Sequence, residues 1–272
     1  MKRLDIAEIQ SVSLEILKVV SDICEKEGFR YCLAYGTLIG AVRHKGYIPW
    51  DDDVDIFMPR PDYDRFIKYF LEHNEHEHLK LFNPETCKDY PYMITRISDD
   101  RYTIKMNNEK PYGMGVFIDI YPVDGMGQTM QEAVKYGKKG DRLSSLCYQA
   151  TRKRYAIETT KTLARKILKF PAFIVAKICG KNIFQRKLAA LANLKPYDES
   201  KYVGTVVWLV AGAKNIYERE LFDELILVPY EQYEFRIPAR YDEILTKYYG
   251  DYMKLPPENE RVGHHEYVAY KK

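Results

Sequence analysis

Two features that would place this chain in a membrane or outside the cell are missing. No apolar run approaches the roughly 18–20 residues that a helix needs to cross a bilayer, and the opening MKRLDIAEIQ has no apolar signal-peptide core. The five cysteines (Cys24, Cys32, Cys87, Cys147, Cys179) are odd in number, scattered, and form no CxxC pair. That pattern excludes a disulfide framework and a thiolate zinc site and leaves reduced core thiols, so the expectation is a cytosolic protein. Internal repeats and low-complexity linkers are also absent. The 272 residues therefore make one large domain, or a core with an appended subdomain. Acidic residues are scarce in one region. Between 151 and 195 twelve Lys and Arg meet only Glu158, a local net of +11 in a chain whose total is +3. Charge so concentrated meets an anionic surface. No recognised nucleic-acid-binding motif accompanies it, so membrane is expected rather than nucleic acid.

What is abundant is tyrosine, 24 in all, which supplies half-buried strand positions or amphipathic contact faces for a ligand. Ile6, Ile9, Val12, Ile16, Val19 and Ile23 recur at helical spacing and Gly28 follows as a stop. Phe29–Tyr35 alternates as a strand, Gly36 turns it into a short helix, and DDDVDIFM reads as a second strand. Pro61 opens a helix with Tyr63, Phe66, Ile67 and Phe70 on one side. Strands are expected near 79–82, 92–97 and 115–121. From about 129 to 194 the pattern is helical, with Gly140 and Gly180 as punctuation. KYVGTVVWLV reads as a strand, VPYEQYEFRIP as a turn and strand, ARYDEILTKYYG as a last helix, and the rest as an extended end. Strands followed by a helical run give an α+β core with a helical subdomain. We expect a catalytic core over 1–128, a basic helical subdomain over 129–200, and a segment over 201–272 that packs back on the core.

Asp53 and Asp55 lie two apart, which in a strand puts both carboxylates on one face and Val54 and Ile56 on the other. Like charges so close need a cation or an array of donors between them. All-oxygen ligands suit Mg²⁺ or Mn²⁺. Asp119, inside GVFIDIYPVDG, is either a third ligand on a neighbouring strand or a core acid bonded to backbone or to an arginine. Gly36 and Thr37 stand at a strand-to-helix turn that can offer amides to an anion. Asp51 and Asp52 read as a loop or capping pair, Pro49 and Trp50 as structural, and Ser98, Asp99 and Asp100 as turn residues. Arg96 either clamps a phosphate or sits in a surface salt bridge. His264 and His265 are either solvated or reach the site from the tail.

The blocks GTLIGAVRHKGYIPWDDDVDI (36–56), VFIDIYPVDG (116–125) and YDEILTKYYGDYMKLPP (241–257) closely resemble the LicD family, the phosphorylcholine transferases of cell-surface glycopolymers and the fukutin-related proteins. The resemblance runs through most of 9–124 and returns at the C-terminus, with little of it between about 130 and 200. It implies a nucleotidyltransferase-like mixed sheet core flanked by helices. It also implies Asp53, Asp55 and Asp119 as metal ligands for Mg²⁺ or Mn²⁺, with Asp119 able to accept the hydroxyl proton. Gly36, Thr37, Arg43, Lys45, Arg96 and His264 are the substrate-binding candidates. The gap from Gly36 to Asp53 is long for the wider fold, so Arg43, His44 and Lys45 either lean into the site or lie on an outer loop. The implied reaction moves phosphocholine, or a related phospho-alcohol, from CDP-choline or another CDP-alcohol. The acceptor is a sugar hydroxyl of a lipid-linked glycan such as teichoic acid or lipopolysaccharide. The alternatives are nucleotide transfer proper and a catalytically silent scaffold that binds nucleotide or membrane. Residues 151–195 would dock the enzyme on anionic membrane at the cytoplasmic face. There Leu163, Ile167, Phe170, Ile174 and Ile178 share a helical face, Lys161, Arg165, Lys166, Lys169 and Lys177 lie largely elsewhere, and Phe170 and Phe173 are expected to face lipid. The alternative is a helix that packs its apolar face on the core and leaves a solvated basic one.

Overall fold

The structure, a computed structural model, describes residues 1–155, 163–208, 212–263 and 267–272, with backbone alone for 163–166 and 168. The elements run β1 (Lys2–Arg3), α1 (Ile6–Glu27), β2 (Cys32–Leu33), α2 (Tyr35–Ile39), β3 (Asp55–Pro59), α3 (Arg60–His73), β4 (Leu79–Phe82), β5 (Thr95–Asp99), β6 (Tyr102–Met106) and β7 (Val116–Gly127). They continue with α4 (Met130–Thr151), α5 (Leu163–Cys179), α6 (Lys181–Ala192), β8 (Tyr202–Gly204), β9 (Ile216–Glu218), β10 (Leu225–Tyr230), β11 (Tyr233–Pro238), α7 (Tyr241–Tyr249) and β12 (Tyr267–Lys271). This is an α+β fold.

α1 follows from local chemistry. Asp5 caps it, accepting the Glu8 N–H at 2.8 Å while the Glu8 carboxylate accepts the Asp5 N–H at 3.0 Å. Gly28 closes it in a left-handed conformation, φ 68°. Its apolar stripe, Ile9, Ile16, Leu17 and Val20 among it, enters the main core. The central sheet has the order β2-β3-β7-β5-β4, with β3 and β7 parallel and the other neighbours antiparallel. β7 is buried along its whole length, as expected of a middle strand covered on both faces. Its far end pairs with β8, which continues to β9. α4 to α6 pack together, with clusters around Met126, Tyr136 and Val206 and around Cys147, Phe184 and Leu188.

Several elements differ from expectation. In Phe29–Tyr35 only Cys32 and Leu33 pair, and Tyr35 begins α2, which runs into a π turn over Gly40–His44. Asp51–Val54 precede β3 rather than belonging to it. In KYVGTVVWLV only β8 is strand, and 209–211 lie outside the described residues. Gly140 does not punctuate: it sits inside α4, against the backbone of Val206. Ser98 and Asp99 are buried in β5, not in a turn. β6 was hidden because it is half exposed and short. Most of the tail over 251–263 is irregular, but β12 pairs with β6 and β1, so that Lys2 lies opposite Lys271.

Candidate active site

The site forms where β3 and β7 run side by side. Asp55 lies directly opposite Asp119, and Asp119 opposite Arg96 on β5. Directly opposed residues project to the same face of a sheet, so an acid, an acid and a cation stand in a row. All three are buried. Arg96 donates from Nε to Asp119 Oδ1 at 2.6 Å and from Nη2 to Oδ2 at 3.4 Å. Its guanidinium lies over the rings of Phe117 and Tyr92, 4.2 and 4.9 Å from their centroids. The salt bridge is therefore not the surface pair anticipated for Arg96. Asp119 is at once the acid bonded to an arginine and the neighbour of Asp55.

Asp55 is held differently. Its backbone N–H donates to the Thr37 hydroxyl at 2.9 Å, but its Oδ1 is buried without a hydrogen-bond partner among the described residues. Burial, and then the charges of Asp53, Asp119 and Asp51, push its carboxyl well above the ordinary range, against the opposing pull of Arg96. An orphaned carboxylate oxygen facing further carboxylates is a donor set that fits a hard divalent cation. Asp51, Asp52 and Asp53 add oxygens that approach within 4.8 Å of one another. Asp51, read from the sequence as a loop residue, thus joins the acidic row, and its Oδ2 lies 2.6 Å from where a Cβ on Gly36 would stand.

The acids open into a cleft of roughly 260 Å³ lined by Gly36, Asp51, Asp53, Asp55, Asn215 and five aromatic residues, Tyr35, Tyr121, Trp208, Tyr248 and Tyr249. The rings touch in sequence. Tyr35 lies 5.2 Å from Tyr121 and 5.5 Å from Tyr248, Tyr121 lies 6.1 Å from Trp208, and Tyr248 lies 4.5 Å from Tyr249. Tyr35 is fixed by its hydroxyl, which accepts from Asn215 Nδ2 at 3.2 Å. Its φ of 44° is left-handed, a strain seen at sites where backbone position matters. The high tyrosine count hinted at such a surface. No local pattern said which rings would meet, because they come from β7, α2, α7 and the loop after β8.

Thr37, Arg43 and Lys45 fall outside the cleft. Thr37 is buried and ties its turn to β3 through Asp55. Arg43, in the π turn, donates to the Tyr252 carbonyl at 2.5 Å. Lys45 is exposed, with its carbonyl accepting the Glu231 N–H at 2.8 Å. Arg43 and Lys45 thus lie on an outer turn rather than leaning into the site. His264 and His265 lie outside the described residues. On either side of them, Gly263 lies beside the Asp52 carboxylate and the Tyr267 hydroxyl donates to the Asp52 carbonyl at 3.3 Å.

Comparison with known proteins bears on this geometry. Residues 28–149, which contain β3, β5 and β7, match the family model described as LicD/FKTN/FKRP, nucleotidyltransferase domain. The chain is 36% identical over 276 residues to the lipopolysaccharide cholinephosphotransferase LicD of Haemophilus influenzae, with 99% of each chain covered. It is 29% identical over 132 residues to an uncharacterised protein of Rickettsia typhi, covering 45% of this chain and 41% of the relative. A full-length match at that identity, with the family model lying over the strands that carry the carboxylates, shows that this chain belongs to the LicD family.

Proposed function

We propose that the protein transfers phosphocholine from a CDP-linked donor to a sugar hydroxyl of a lipopolysaccharide-type glycan at the cytoplasmic face of the membrane. The observation that carries the reading is one cleft with two characters, a row of carboxylates on one side and a wall of aromatic rings on the other. Carboxylates with an orphaned oxygen suit divalent cations, and aromatic faces suit a quaternary ammonium. The name of the full-length relative from Haemophilus influenzae combines these needs, a choline group and a phosphate.

Asp53, Asp55 and Asp119 would hold Mg²⁺ or Mn²⁺, with Asp51 beside them. The ion would neutralise the diphosphate and acidify the attacking hydroxyl. Arg96 fixes the position of Asp119 through its two bonds. Since Asp119 already shares both oxygens with Arg96, we assign it to holding charge. The part-exposed Asp51 and Asp53 are better placed to take the proton of an entering hydroxyl. Tyr35, Tyr121, Trp208, Tyr248 and Tyr249 would face the choline ammonium and keep water from the donor.

The test is incubation of the pure protein with Mg²⁺, lipopolysaccharide and a panel of CDP-choline, CDP-ethanolamine and CDP-ribitol, with mass spectrometry of both products. Release of CMP with phosphocholine on the glycan is expected. A glycan carrying the nucleotide, or a preference for CDP-ribitol, would overturn the reading.

A further inference from the structure

The outer face of α5 is apolar and, among the described residues, exposed. Phe173 and Ala176 turn inward and are buried, Ala176 in a cluster with Cys147 of α4 and with Phe184 and Leu188 of α6. The opposite side presents Ile167, Phe170, Pro171, Ile174, Val175 and Ile178 to solvent, Ile167 at 66% and Ile178 at 80% exposure. In helical projection these six occupy one continuous arc, since positions three, four and seven apart share a side. The sequence alone leaves open whether this arc packs on the core, and the structure answers that it does not. It also divides the two phenylalanines. Phe170 is on the exposed arc, whereas Phe173 is beneath it, in ring contact with Phe170 at 6.4 Å and with Tyr155 at 5.1 Å.

Two further facts say what covers this arc. From 163 to 195 there are eight Lys and Arg and no Asp or Glu, and Lys169, Arg186 and Lys187 are exposed. Also, no helix among the described residues is long and apolar enough to cross a membrane. At about 1.5 Å per residue, the 17 residues of α5 reach roughly 26 Å, short of a bilayer core. A second copy is disfavoured. In a two-fold dimer the patch would meet itself, and its cations would face cations, with no Asp or Glu within 163–195 to answer them. Nucleic acid would match the cations and leave six apolar side chains unmatched. An anionic bilayer surface matches both, with acyl chains for the arc and headgroups for the lysines and arginines.

We propose that α5 lies in the plane of an anionic membrane and inserts Ile167, Phe170, Ile174, Val175 and Ile178 at the boundary of headgroups and acyl chains. This deepens the reading of a membrane-borne acceptor, on which it depends for its purpose and not for its support. Binding is measured without donor or acceptor, so its failure is distinct from failure of the catalytic reading. The apolar contribution separates it from docking by charge alone, which predicts binding that salt abolishes.

The experiment is flotation of the full chain with vesicles of phosphatidylglycerol and phosphatidylcholine, or of phosphatidylcholine alone, at low and high salt. The variants are Ile174→Glu with Ile178→Glu, and Lys169→Gln with Arg186→Gln and Lys187→Gln. All five side chains are exposed, so melting temperatures should match wild type, and circular dichroism checks this. Wild type should bind the anionic vesicles and retain part of its binding at high salt. The Glu variant should lose binding at least about tenfold at both salts, since each substitution withdraws an isoleucine from the acyl chains and brings an anion to an anionic surface. The Gln variant should lose chiefly the salt-sensitive part. Absence of wild-type binding to either vesicle would overturn the proposal, as would a Glu variant that floats like wild type. Sedimentation velocity without lipid supplies a third refutation, a stable dimer that the Glu variant dissociates.

Discussion

Asp55 and Asp119 are neighbours on adjacent strands, yet their removal should have opposite effects on stability. Asp119 is bonded to Arg96, so Asp119→Asn leaves a buried guanidinium without its anion. Such a loss typically costs about 3–5 kcal/mol, and Arg96→Met should do the same from the other side by stranding the carboxylate. Asp55 carries a carboxyl that burial and like charges make hard to ionise. A neutral amide removes that repulsion, so Asp55→Asn should leave the metal-free protein as stable as wild type or more so. Urea denaturation in EDTA of the three variants measures the contrast; a clear loss of stability in Asp55→Asn would mean that its carboxylate is satisfied in a way the orphaned Oδ1 denies. On activity the variants should agree. Asp53→Asn, Asp55→Asn and Asp119→Asn are each expected to lose turnover by a factor of about 10³ or more if they hold the catalytic cation, and Mn²⁺ or Mg²⁺ should raise the melting temperature of wild type but not of Asp55→Asn. Full activity after exhaustive EDTA treatment would refute the metal assignment.

The elements set the position of the aromatic wall, and one glycine governs it. Gly140 brings α4 against the backbone of Val206, where an added Cβ would overlap the carbonyl oxygen. Val206 is also tied from the other side. Its N–H donates to Asp124 at 3.2 Å, and Asp124 is paired with Arg60 at 2.6 Å. Trp208, two residues on, lines the cleft. Overpacking in such a spot costs about 1–3 kcal/mol, and the strain is transmitted to the ring. Gly140→Ala should therefore lower stability modestly and raise the KM for CDP-choline more than it lowers kcat. Trp208→Leu should reproduce the KM effect, with a loss of stability of its own because the ring packs on Tyr92 and Tyr121. A Gly140→Ala enzyme with wild-type KM would show that Trp208 is not positioned through this contact.

At the scale of the whole molecule, the two ends of the chain close one sheet. β12 lies between β1 and β6, Leu4 donates its N–H to the Ala269 carbonyl at 2.9 Å, and Tyr267 packs its ring 5.5 Å from Phe117 beside Asp119. The C-terminal strand is thus a structural wall of the carboxylate row. Removing residues 267–272 should uncover Ala269's partners and Phe117, lower the melting temperature by several degrees, and reduce turnover through loss of order at Asp52, whose carbonyl Tyr267 holds. Thermal melts with parallel rates check it; a truncated enzyme with wild-type melting temperature would make β12 an ornament of the fold.

Much of this was written in local pattern. The apolar spacing of α1 and α3, the Pro61 start, the αL glycine at 28 and the turn and strand that end in β11 depend on interactions between residues close in sequence, which a single chain displays, whereas β10, the other arm of that hairpin, was not read as a strand. The Asp53–Asp55 spacing and the apolar setting of Asp119 likewise announced acids that need partners. What only tertiary structure decided are the meetings of distant residues. Arg96 found Asp119 because β5 pairs with β7. Tyr35, Tyr121, Trp208, Tyr248 and Tyr249 converge from four separate segments. Thr37, Arg43 and Lys45 took other partners than the cleft. The outward turn of α5 was equally invisible, because periodicity names the apolar arc but not the side on which a neighbour lies; that choice is made by the burial of Phe173 and Ala176, and it leaves the larger arc to solvent.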